Sequence, residues 1–87
     1  MTIYMVEREL KGIAMSDLAA AQQRAINTSR QYAARGTPMR YIRTTFVPED
    51  GRTMCLFEAN SAEDVKHVNE DAQIPFTRVI GALDLTP

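Results

Sequence analysis

The chain has 87 residues, of which 45% are apolar and 24% charged, with a formal net charge of −1. That is the composition of a folded globular domain, and its scattered Lys and Arg exclude the concentrated basic footprint of a nucleic-acid binder. No apolar run approaches the ~20 residues of a membrane span, Glu7 interrupts any signal-like core, and one cysteine excludes an internal disulfide.

A single domain over 1–87 is therefore expected, in a reducing cytoplasm and with neither nucleic acid nor membrane as partner. Residues 3–10, IYMVEREL, predict a strand, and KGIAM a connection. Ser16 is a suitable N-cap for a helix running to about Arg35, which Gly36, Thr37 and Pro38 then stop. Residues 39–47, MRYIRTTFV, are rich in β-branched and aromatic side chains. After the turn PEDG, residues 52–59 return as the second arm of a hairpin. SAED at 61–64 opens a short helix to about Gln73, and after Pro75 the stretch FTRVIGALDL makes the last strand.

The order β-α-β-β-α-β has a favoured solution among α+β folds. With right-handed crossovers it gives the ferredoxin-like sandwich, a four-stranded antiparallel sheet with both helices on one face. The other face of such a sheet normally reads polar, yet here Ile3 and Met5 alternate with Tyr4 and Val6. Val79, Leu83 and Leu85 likewise alternate with Ile80 and Ala82. Both faces being apolar, cover by a second copy is expected, as a homodimer in the form of a dimeric α/β barrel.

With two or four residues in the PEDG loop, Thr45 faces Met54, Arg43 faces Leu56 and Tyr41 faces Glu58, whereas three or five with a bulge would exchange the two faces. The more apolar side, with Cys55 and Phe57, goes under the helices, where a thiol without a cationic neighbour is packing. Tyr41, Arg43 and Glu58 fall on the second face. With Glu7 they make either an ion-paired network fixing dimer register or the polar groups of a ligand cavity.

Winding the first helix at about 100° per residue turns Gln22, Ser29 and Tyr32 inward with Leu18, Ala21 and Ala25. The second helix turns in Val65, Val68, Ala72 and Asn69. Four inward polar groups beside small residues outline a pocket between helices and sheet, or else each bonds backbone or trapped water. His67, the only imidazole, falls on the outer side, so neither it nor Cys55 can converge on one metal ion within a chain. Phosphate-binding glycine loops, paired cysteines and nucleophile elbows are missing from the sequence.

YMVER at 4–8, TTFVPEDGRTMCLFEA at 44–59 and VNEDAQIPFTRV at 68–79 resemble a family of small bacterial proteins common in actinobacteria. The family was long catalogued as of unknown function and was later linked to nickel binding through a streptomycete member. The resemblance implies a cytoplasmic ferredoxin-like homodimer and nickel as the metal, and it carries over no ligand residue. Three functions stand at this point. The first is a homodimeric binding protein for a small ligand or metal ion. The second is a cofactor-free enzyme on an aromatic or polyketide-like substrate, with Tyr32, Asn69 or Arg43 positioning it. The third is a structural or regulatory dimer without ligand.

Overall fold

The computed structural model describes residues 1–87. Its elements are β1 (Thr2–Glu9), α1 (Met15–Ala34), β2 (Met39–Phe46), β3 (Arg52–Ala59), α2 (Ala62–Asp71) and β4 (Arg78–Ala82). The strands form one antiparallel sheet in the order β2-β3-β1-β4. Val6, Cys55, Phe57 and Ala59 on one face are buried with Ala21 and Ala25 of α1 and Val65 and Val68 of α2. This is the ferredoxin-like sandwich expected from the order of elements.

The expected barrel is not formed. The sheet is open, with β2 and β4 as its two edges and no hydrogen-bonded pairing between them. Closure takes about eight strands tilted by some 35–45°, and four strands backed by two helices stop well short of it.

Local signals account for most boundaries. Gly36 leaves α1 at φ 95°, and Thr37 donates its N–H to the Tyr32 carbonyl. Ser61 caps α2, its hydroxyl accepting the Asp64 N–H at 3.1 Å, with Glu63 and Asp64 in the first turn. Ser16 does not cap α1. A tight turn through Gly12 at φ 81° brings the chain in two residues sooner, with Ala14 at the cap and no side-chain bond. Gly51 ends the hairpin turn at φ 77° and accepts the Leu10 N–H on its carbonyl. A Cβ there would lie 2.3 Å from the Lys11 backbone, so only glycine fits this crossing of turn and strand.

The hairpin register is as expected at Thr45↔Met54 and Arg43↔Leu56, and then it slips. A bulge between Tyr41 and Arg43 inserts Ile42, so Tyr41 faces Phe57 and Arg40 faces Glu58. One extra residue reverses every side chain beyond it. Tyr41 therefore lies on the helix face, edge-on to Phe57 with ring centroids 5.5 Å apart, and not beside Arg43. The last strand ends at Ala82, three residues before the expected Leu85, because the chain leaves the sheet edge there.

Candidate functional site

Polar side chains collect in two places, under the helices and on the open face of the sheet. Under the helices the central group is Arg8, which is 3% exposed. Alternation along β1 points it to the helix side, where its guanidinium donates to Asn69 Oδ1 at 2.9 Å and to the Pro75 carbonyl at 3.2 Å. Asn69, fully buried, donates its own amide to the Val65 carbonyl one turn back. No carboxylate pairs with Arg8. The helical winding already turned Asn69 inward, and Arg8 stands on the face of β1 opposite Glu7. The bond between them came from the docking of α2, which no local pattern encodes.

The other inward polar groups satisfy one another or the backbone. Gln22 donates to the Tyr41 hydroxyl at 2.8 Å, Tyr41 bonds Thr44, and Thr44 lies 3.2 Å from the Cys55 sulfur. Ser29 donates to the Ala25 carbonyl in its own helix. Tyr32 donates to Asp71, and that bond, with partial burial and the Asp71 charge, pushes its pKa up to about 12. Between α1 and the sheet, a crevice lined by Arg8, Leu18, Gln22, Tyr41 and Cys55 offers about 10 Å³, room for one water. A shallower recess of about 230 Å³ lies between α1 and the β2 edge, lined by Ser29, Met39, Arg40 and Tyr41.

On the open face, the half-buried Ile3, Met5, Met54 and Leu56 and the exposed Ile80 make an apolar centre. Charges ring it. Arg78 grips Glu7 through two bonds of 2.6 and 3.1 Å, which holds the Glu7 carboxyl below its ordinary range. Arg40 meets Glu58 at 3.2 Å, and Arg43 meets Asp84 at 2.8 Å. The single network proposed for Glu7, Arg43 and Glu58 is thus three separate pairs. The bulge carried Arg40, in place of Tyr41, opposite Glu58, and Arg43 found a carboxylate beyond β4.

The donors for a metal ion are scattered. His67 is exposed on α2, Cys55 is buried beneath α1, and no three His, Cys, Asp or Glu side chains are grouped where they could hold an ion. Nickel needs several donors converging at about 2 Å, and the residues of one chain do not fit that requirement. No helix is long and apolar enough to cross a membrane.

A family model described as "Nickel responsive protein SCO4226-like" matches residues 4–81. A crystal structure of SCO4226 from Streptomyces coelicolor A3(2) is similar in fold, with a TM-score of 0.79 over 98% of this chain and 99% of that one at 22% identity. No curated protein matches the sequence.

Proposed function

The chain belongs to the SCO4226-like family of nickel-responsive proteins, and from that membership we propose that it is a non-catalytic binding protein that works as a homodimer through its open sheet face. One observation carries this reading. Three strands present Ile3, Met5, Met54, Leu56 and Ile80 on a face that neither helix covers. An apolar face of this kind is where small α+β domains recruit a partner.

The ligand in this reading is nickel, taken from the family, and a single subunit has no resident site for it. His67 is the one imidazole of the chain. Light scattering is expected to give twice the 9.8 kDa chain mass, unchanged by chelator; a mass of one chain rejects the dimer. Native mass spectrometry with micromolar nickel tests the metal separately. Uptake should fall in His67→Ala, and no uptake by the parent protein would remove nickel as ligand.

A further inference from the structure

The segment after β4 reaches over the open face through Asp84. Asp84 follows the edge strand β4, and Arg43 stands on β2 at the opposite edge, yet their side chains meet at 2.8 Å. Strands spaced by about 4.8 Å put roughly 14 Å between those edges. The two side chains must therefore reach toward each other over β1 and β3. Asp84 lies down on the sheet, its side chain 23% exposed, whereas its neighbours Leu83 and Leu85 are 82% and 84% exposed. A segment built to mask the face would turn its leucines down and its carboxylate out. This one does the reverse.

We propose that Leu83 and Leu85 are the anchors by which a second copy of this chain docks on the open face, with Asp84–Arg43 holding them in position. The inference rests on the homodimer proposed above and names the side chains that hold it together. Charge favours a copy of the same chain. Arg40, Arg43, Arg52 and Arg78 on this face are matched by Glu7, Glu9, Glu58 and Asp84, so two such faces meet without net repulsion. A nucleic acid or a strongly acidic partner would find no excess of positive charge. Area bears on the leucines. Three strands of eight residues and one of five span a planar footprint of roughly 450–500 Å², short of the ~800 Å² per partner of a stable interface. Two exposed leucines standing above the sheet extend that footprint outward.

Sedimentation over a concentration series, with circular dichroism to confirm an unchanged fold, tests the proposal. Leu83→Ser and Leu85→Ser are each expected to raise the dimer dissociation constant about 30-fold or more, the range of interface anchors. Both residues lie outside the sheet, so the fold of the subunit should be unchanged, and any fall in the unfolding midpoint should track the loss of dimer and vanish at concentrations where the parent chain is also single. Arg43→Ala, which only releases the segment, should weaken pairing about fivefold or less. The reversal R43D/D84R should restore it. A wild-type dimer whose constant is untouched by either leucine change overturns the anchors and leaves the homodimer standing. A wild-type chain that stays single at every concentration overturns both.

Discussion

The two faces of the sheet treat arginine in opposite ways. Beneath the helices, Arg8 is almost wholly buried and held by neutral acceptors, the Asn69 amide oxygen and the Pro75 carbonyl. On the open face, Arg40, Arg43 and Arg78 each stand more than half exposed against a carboxylate. The inner arginine has been desolvated once, during folding, and its acceptors are fixed by the position of α2. The outer ones keep much of their hydration, so each pair forms and opens at little cost. The helix side thus defines the fold, and the open side remains available for a partner.

The largest effect expected from this contrast is at Asn69. Asn69→Ala removes one of the two acceptors of Arg8, a residue only 3% exposed, and stability should fall by about 2–4 kcal/mol, read from urea unfolding. Replacing both groups, Arg8→Met with Asn69→Leu, should cost less than Asn69→Ala alone, because no charge is then stranded. A loss below about 1 kcal/mol for the single change would mean that water enters beside Arg8, and the contrast between the faces would disappear.

Much of this arrangement was legible in the sequence, and what was not has identifiable causes. Element order, the Gly36 stop, the Ser61 cap and the placing of Cys55 and Phe57 under the helices all follow from local signals with a physical mechanism. Serine is a strong cap and so points to a helix start at Ser16, whereas the entry turn through Gly12 decides where α1 begins. The bulge at Ile42 has no signature in MRYIRTTF, and it alone moved Tyr41 off the open face and brought Arg40 to Glu58. Of the predicted site residues, Gln22 and Tyr41 are joined by a hydrogen bond, and Asn69 is joined to the buried Arg8. Ser29 bonds within its own helix, and Tyr32 sits apart with Asp71. Arg43 and Glu58 belong to the other face altogether. Pairings over forty or more residues, such as Arg43 with Asp84, depend on which strands become edges, and no spacing rule carries that information.

A smaller effect separates the helix side from ordinary surface chemistry. Tyr32 is expected to ionise near pH 12, whereas an unperturbed tyrosine does so near 10. The raised value favours the neutral phenol in the folded state. Its contribution to stability is therefore complete below about pH 10 and is lost as pH climbs toward 12. An ultraviolet titration of tyrosinate should show a transition near pH 12 that Asp71→Asn moves back toward 10. A titration that Asp71→Asn leaves unchanged would remove the Tyr32–Asp71 bond from the α1–α2 contact.

The smallest effect belongs to the rim of the open face, where Arg78 lowers the Glu7 pKa chiefly through their hydrogen bond. A depressed carboxyl contributes to stability above its ordinary value of 4.5, and that contribution is lost as pH falls through the lowered one. Both partners lie in solvent, so the unfolding midpoint should barely respond to Glu7→Gln at neutral pH, and added salt should erase even that. The pair is better read by nuclear magnetic resonance, following the Glu7 side-chain carboxyl carbon. It should titrate below its ordinary value of 4.5, and Arg78→Ala should bring it back up. If Glu7 titrates alike in the parent chain and in Arg78→Ala, the rim is not paired in the free subunit, and its arginines stand ready for carboxylates across an interface.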